Sequence, residues 1–188
     1  MPELFPAFLK LAGRKVLLVG GGRVAAAKLE PLLAAGAQVR VVAPEIRPEI
    51  ERPGVNTSRR PFAAGDLQGV WLVIAAATPA ANAEVARAAE ARALFVNAVD
   101  DTENASLYLG GVLRRGGVTL AIGTEGRAPA LAGLLREALE SVIPEEIDSW
   151  LETAAALRAE QKARGVPMAE RRPRLLRALN ALYTEARP

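Results

Sequence analysis

A chain of 188 residues with 51% hydrophobic content can bury a real core and hold one domain with an appendage. It contains no cysteine and no histidine, so disulfides, thiolate metal sites and an imidazole base are excluded. No metal site is expected, and any chemistry must use carboxylates, hydroxyls, lysine, arginine or a bound cofactor. The 24 Lys and Arg against 21 Asp and Glu leave a formal +3, too balanced to argue for nucleic acid. No apolar run reaches the roughly 18–20 residues that span a membrane. The opening Met1-Pro2-Glu3-Leu4-Phe5-Pro6 lacks the basic and apolar regions of a secretory signal, so cytoplasmic residence is the expectation.

In chain order, Lys15 to Val19 reads as a first strand running into Gly20-Gly21-Gly22, with a helix from about Arg23 to Ala34. Ala25, Leu29, Leu32 and Leu33 share one face of that helix. Pro31 is expected to kink it, and Gly36 to stop it. Gln38 to Ala43 is a second strand, closed by Pro44. A short helix is expected over Glu45 to Ile50, a weak strand over Val55 to Arg60, and a turn or short helix over Ala63 to Leu67. The continuous apolar run Val70 to Ala76 suits a strand covered on both faces. Thr78-Pro79 then reads as a cap with proline at the first helical position, before a helix over Ala81 to Arg92 and a strand over Leu94 to Val99. This alternation predicts an α/β fold with a doubly wound, Rossmann-like parallel sheet. Beyond it, Leu107 to Leu113, the turn Arg114-Arg115-Gly116-Gly117 and Val118 to Ile122 read as a hairpin. A helix from Pro129 to Val142 carries the apolar stripe Leu131, Leu134, Leu135, Ala138 and Leu139. Two more helices, near 145–164 and 169–186, finish the chain. The expected divisions are 1–105, a small α+β region at 106–143, and a helical C-terminal domain at 144–188.

The strand–glycine–helix entry is the arrangement a dinucleotide-binding fold uses for a pyrophosphate. Gly20 permits the tight turn, Gly22 lets backbone approach phosphate, and Ala25 takes the third small position. The helix N-terminus supplies unpaired N–H groups. The other reading of Gly20, Gly21 and Gly22 is a tight structural turn. Strand two ends without an acidic residue at the usual ribose position. Glu45, slightly past the strand, tilts the reading toward NAD, while Arg47 would favour a 2′-phosphate, so NAD and NADP stay unresolved on residues alone. Thr78 stands at a strand's carboxyl end, both as a cap and as a crevice residue. Asp100 follows the fifth strand at that same edge and, in a histidine-free chain, is the best available general base; its plainer reading is a turn aspartate. Asp101 and Glu103 read as solvated loop charges. Thr124 and Arg127, within Thr124-Glu125-Gly126-Arg127-Ala128-Pro129, could hold an acidic substrate at a helix start, or form an ordinary capped turn. Arg171-Arg172-Pro173-Arg174 reads as a solvated helix entry or a clamp for a polycarboxylate.

The ordered set Leu4-Phe5-Pro6-Ala7-Phe8-Leu9, Val19-Gly20-Gly21-Gly22-Arg23-Val24-Ala25 with Lys28, Ile74-Ala75-Ala76-Ala77-Thr78, Phe95-Val96-Asn97-Ala98-Val99-Asp100, and Gly126-Arg127-Ala128-Pro129-Ala130-Leu131-Ala132 with Leu135-Arg136 resembles the precorrin-2 dehydrogenase / sirohydrochlorin ferrochelatase family. It is similar to the siroheme-synthase N-terminal module standing alone. The resemblance spans about residues 4 to 140 and fits the helical tail more loosely. It implies NAD-dependent dehydrogenation of precorrin-2, a tetrapyrrole, to sirohydrochlorin on the way to siroheme and, in some organisms, cobalamin. It also implies a homodimer whose dimerisation region follows Asp100, and NAD contacts at Arg23, Val24, Pro44 and Glu45. Asp100 would serve dehydrogenation and, in bifunctional members, metal insertion with Fe²⁺ as substrate. No nucleic acid or membrane partner is implied. Two other readings stand beside it, a non-catalytic NAD-sensing dimer and a dehydrogenase of another acidic metabolite.

Overall fold

The computed structural model describes residues 3–185. Strands β1 (Lys15–Val19), β2 (Gln38–Ala43), β3 (Asn56–Arg59), β4 (Leu72–Ala75) and β5 (Phe95–Ala98) form one parallel sheet in the order β3-β2-β1-β4-β5. Val16 to Val19 are all buried because β1 is the central strand and is covered on both faces. On one face Val16, Leu18, Val39, Val41, Leu72 and Ile74 pack with Ala25, Leu29 and Leu32 of helix α1 (Arg23–Ala34). On the other, Leu17, Val19, Val42, Val73 and Ala75 pack with Val85, Ala86 and Ala89 of helix α2 (Pro79–Glu90). Fully burying a Leu or Val side chain contributes roughly 1.5–3 kcal/mol, so these two layers hold the sheet. The order reverses between β1 and β4. That is the switch point at which open α/β sheets take their ligands.

Helix α1 continues past Pro31 to Ala34, with Gly36 at φ +75° just beyond its end. No helix forms over 45–50. Pro48 biases Arg47 away from the α region, and the Arg47 N–H is used instead by the Gly21 carbonyl at 3.0 Å, leaving a turn at 48–50. A 3-10 turn occupies Ala64–Leu67. Within it Asp66, 4% exposed, accepts from both Arg60 guanidinium nitrogens at 2.8 and 2.6 Å and from the Ala63 N–H at 2.9 Å. These bonds, the Arg60 one foremost, hold its carboxyl below the usual aspartate range against the opposing effect of burial.

The expected hairpin strand from Leu107 begins later, because Ser106 and Leu107 are already engaged. Their N–H groups both donate to the Val96 carbonyl, at 2.9 and 3.0 Å, and the Ser106 hydroxyl accepts from the Val96 N–H. This segment lies along the outer edge of β5 and occupies part of its free hydrogen-bonding edge. The chain divides into two compact units, up to Leu109 and from Gly110 onward.

In the second unit β6 (Gly111–Arg115) and β7 (Val118–Ile122) form an antiparallel hairpin. Its turn is the two-residue Gly116-Gly117, at φ +51° and +75°, rather than the four residues expected. Two successive positive φ values match the twist of a tight hairpin. Helix α3 (Pro129–Val142) lies against β6, where the backbone of Ala132 comes within 2.7 Å of a Cβ position on Gly111. Of α3, only Ala132 is buried. Leu131, Leu134, Leu135 and Val142 remain exposed. Helices α4 (Ile147–Ala163) and α5 (Met168–Glu185) complete the unit, with Trp150 and Tyr183 edge to face at 6.0 Å. Pro173 falls inside α5, so the Arg171–Arg174 run is part of the helix; the expected last residue of that helix, Ala186, lies outside the described residues. Among the described residues, no helix is long and apolar enough to cross a membrane.

Candidate functional site

Three strand ends converge on the glycines after β1. Gly20 has φ +127° and donates to the Val42 carbonyl at 3.0 Å. A Cβ on it would overlap the carbonyl oxygen of Ala76, the residue after β4. A Cβ on Gly21 would overlap the Glu45 carbonyl oxygen and stand 2.8 Å from the Ile46 Cα. Gly22 differs. Nothing lies within 4 Å of its Cβ position, and it is the N-cap of α1 with no side-chain cap. The α1 ladder begins with the Ala26 N–H on the Gly22 carbonyl at 3.0 Å, so the N–H groups of Arg23, Val24 and Ala25 have no partner within the helix. Arg23 and Val24 are exposed. Open space beside N–H groups that the helix itself leaves unpaired suits a pyrophosphate.

Pro44 and Glu45 follow β2 and are exposed. Around them Arg47 donates to Glu49, and Arg59 pairs with both Glu51 oxygens at 3.0 and 2.9 Å while also donating to the Ile46 carbonyl at 3.1 Å. The Arg47 hydrogen bond holds the Glu49 carboxyl below its ordinary range, with smaller help from its own backbone and from Arg23. The Glu51 contact raises the Arg59 guanidinium, with Glu45 adding a smaller share. Arg47 and Arg59 thus already hold carboxylate partners, whereas Glu45 makes no hydrogen bond or ion pair among the described residues.

Across the switch point, Thr78 caps α2. Its Oγ1 accepts from the Ala81 N–H at 3.4 Å, and Pro79 starts the helix. One strand further, Ala98 accepts from the Asp101 N–H at 3.4 Å in a turn whose third residue, Asp100, has φ +57°. That position favours glycine or asparagine. A non-glycine residue held there costs about 1–3 kcal/mol, and such strain gathers at functional sites. The Asp100 carboxylate is exposed and has no hydrogen bond or ion pair among the described residues. Asp101, expected as a solvated charge, instead closes the loop by accepting from the Asn104 N–H at 3.1 Å and Nδ2 at 2.7 Å.

The structure therefore brings Gly20, Gly21, Gly22, Arg23, Val24, Pro44, Glu45, Thr78 and Asp100 to one carboxyl edge of one sheet. Thr124 and Arg127 belong to the second unit. There the Thr124 carbonyl accepts from the Arg127 N–H at 2.9 Å and its Oγ1 from the Ala128 N–H at 3.3 Å, across Glu125 and Gly126 at φ +55° and +72°. Arg127 is exposed and touches Glu125 only at 3.8 Å. Sequence reading missed two buried asparagines beside the site. Asn82, in the first turn of α2, bonds to both Ala77 and Val99. Asn97 on β5 donates to the Leu107 carbonyl at 2.9 Å and keeps a buried, unpartnered Oδ1. The available signal was an amide among alanines and valines, where burial demands partners.

A family model described as "Putative NAD(P)-binding" matches residues 7–111, more than half of the chain. The chain belongs to that NAD(P)-binding family. The match ends close to the boundary between the two units and takes in every candidate cofactor residue above. Among similar proteins, siroheme synthase 3 of Aeromonas hydrophila is 41% identical over 175 residues, covering 90% of this chain and 37% of that protein. The siroheme synthase of Sodalis glossinidius is 40% identical over 186 residues, covering 96% and 40%. This NAD(P)-binding chain thus spans about two fifths of the length of those relatives. A solved structure titled SirC, precorrin-2 dehydrogenase superposes with a TM-score of 0.70 at 24% identity, covering 93% of this chain and 88% of that one. The two share a fold.

Proposed function

We propose that this chain oxidises precorrin-2 to sirohydrochlorin with NAD, a step of siroheme biosynthesis. One observation carries the reading. Asp100 is an exposed, unpartnered carboxylate in a left-handed turn, on the sheet edge that also bears the glycine cradle. The likeness to siroheme synthases over nine tenths or more of this chain supports the substrate class.

Gly20 and Gly21 let β1 approach the ends of β4 and β2, and Gly22 leaves the space that the cofactor's pyrophosphate fills. The Arg23, Val24 and Ala25 N–H groups donate to that anion at the positive end of α1. The free Glu45 carboxylate, next to Pro44, accepts from a ribose hydroxyl, which selects NAD over its 2′-phosphorylated form. Thr78 offers its hydroxyl proton at the crevice wall while its lone pair caps α2. Bound NAD supplies the hydride acceptor. Loss of a hydride from the macrocycle must be matched by loss of a proton, and Asp100 is the base available to take it. Thr124 and Arg127 supply a hydroxyl and a guanidinium for the substrate's carboxylates, an assignment that rests on their chemistry.

The exposed leucines of α3 support a homodimer in which 106–143 is the dimerisation region. Cytoplasmic residence and the use of Fe²⁺ as a second substrate belong to the same reading; Asp100 would then also take the pyrrole N–H protons as the metal enters.

The test follows precorrin-2 absorbance with NAD in the absence of oxygen, with and without Fe²⁺. Turnover is expected, and Asp100→Ala should lower kcat by roughly 10²–10⁴-fold while still binding NAD. NAD binding without turnover of precorrin-2 would favour the sensor. Turnover only of another acidic metabolite would replace the substrate.

A further inference from the structure

Asn82 is 3% exposed and sits four residues after Thr78, in the first turn of α2. Its Oδ1 accepts from the Ala77 N–H at 2.9 Å, and its Nδ2 donates to the Val99 carbonyl at 3.3 Å. The two partners fix the orientation of the amide, since an N–H needs the oxygen and a carbonyl needs the nitrogen. Ala77 immediately precedes Thr78, and Val99 immediately precedes Asp100. One buried side chain therefore ties together the loops after β4 and β5. The Val99 N–H is separately held by the Ala75 carbonyl at 2.9 Å. With both ends of Val99 fixed, the strained φ of Asp100 has a rigid base on its N-terminal side, and Asp101 with Asn104 anchors the other side.

We infer that Asn82 is a positioning residue for Asp100, holding the Val99–Asp100 turn in its left-handed form through the side-chain bond between the two crevice loops. The inference rests on Asp100 being the proton acceptor proposed above. The asparagine amide offers an acceptor and a donor on one short, uncharged group. Alanine removes both bonds and leaves the Val99 carbonyl and Ala77 N–H without them. Aspartate keeps the Ala77 bond and sets a carboxylate against the Val99 carbonyl.

A double-mutant cycle on the full chain tests this. Asn82→Ala is expected to lower kcat by roughly 10–100-fold, as a slight misplacement of a reacting group does. In an Asp100→Ala background the same substitution should change kcat by less than about threefold, because the group it positions is gone. An equal loss in both backgrounds, no loss in either, or a loss confined to NAD affinity would overturn the proposal. Should Asn82→Ala not fold, Asn82→Asp replaces it and must show the same dependence on Asp100. Amide exchange provides a readout independent of turnover. The Asp101 N–H, closed onto the Ala98 carbonyl, should exchange at least about tenfold faster in the Asn82 variant while the β1 and β4 amides stay protected. If Asp100→Ala alone leaves kcat intact, the proton-acceptor reading fails, and unchanged Asp101 exchange then separately sinks the clamp.

Discussion

A Cβ on Gly20 would overlap the carbonyl oxygen of Ala76, so β1 and β4 meet at the switch point only because residue 20 has no side chain. Two residues on, Gly22 has open space around the same position. The fold therefore demands a glycine at 20 but not at 22, where the proposed demand comes from the cofactor. Gly20→Ala combines a positive φ with a backbone clash and should destabilise the chain by roughly 2–4 kcal/mol. Gly22→Ala should cost the fold only about 1 kcal/mol, the loss of a tolerated N-cap, while weakening NAD at least about tenfold. Denaturant midpoints and a cofactor titration on both variants check this. Wild-type NAD affinity in Gly22→Ala would remove the cradle from the account.

Glu45 makes no hydrogen bond or ion pair among the described residues, while its neighbouring arginines are held by Glu49 and Glu51. On the proposed ribose contact, replacing it with glutamine removes the charge that would accept from a ribose hydroxyl and repel a 2′-phosphate. We expect the preference for NAD over NADP to shrink by about tenfold or more, since one charge-assisted hydrogen bond is worth roughly 1.5–3 kcal/mol. Parallel titrations with both cofactors measure the ratio, and an unchanged ratio would move the ribose contact elsewhere.

Much of the sheet was legible because β1 and β4 are covered on both faces and so read as unbroken apolar runs, Val16 to Val19 and Leu72 to Ala75. The position of Asp100 was legible because a strand was expected over Leu94 to Val99, directly before it, and β5 forms there over Phe95–Ala98. What the sequence hid was set by partners distant in the chain. Gly20 and Gly22 look alike in a row of glycines, and only Ala76 separates their roles. Leu107 looks like the start of a hairpin strand until Val96 and Asn97 are seen to hold it. The 45–50 stretch carries Pro48, which disfavours a helical Arg47, and only the fold shows that the Arg47 N–H goes to Gly21 instead. Asn82 gave no sign beyond being polar, because its partners are the backbone N–H of Ala77 and the carbonyl of Val99, the second brought beside it by the crossover from β4 to β5.

Asp66 gives a pH dependence whose sign follows from its surroundings. Arg60 and the Ala63 N–H lower its folded pKa, so its stabilisation is fully present above the unfolded aspartate value of about 3.9 and is lost as pH falls through the depressed folded value. Asp66→Asn should destabilise the protein by about 1–3 kcal/mol near neutral pH. The gap between wild type and variant should narrow only below the ordinary aspartate range. Urea unfolding across acidic pH reads it, and a gap that closed already near pH 6 would contradict the depressed value.

Helix α3 offers the clearest test of self-association. Leu131, Leu134, Leu135 and Val142 are 48%, 63%, 42% and 72% exposed, while the helix is seated on the hairpin through Ala132, about a quarter-turn round from them. Leu134, Leu135 and Val142 follow Leu131 by three, four and eleven residues, so the four share one apolar face that stays exposed among the described residues. A second copy of the same face would cover it with isologous contacts. Leu134→Glu places a charge at the centre of that face and removes no buried packing, so the monomer should keep its melting behaviour. The proposed dimer should weaken by roughly 2–3 kcal/mol or more, about a hundredfold in dissociation constant, from lost apolar burial and a desolvated charge. Sedimentation over a concentration series measures both variants directly. A Leu134→Glu protein that dimerises as tightly as wild type would place the interface on another surface.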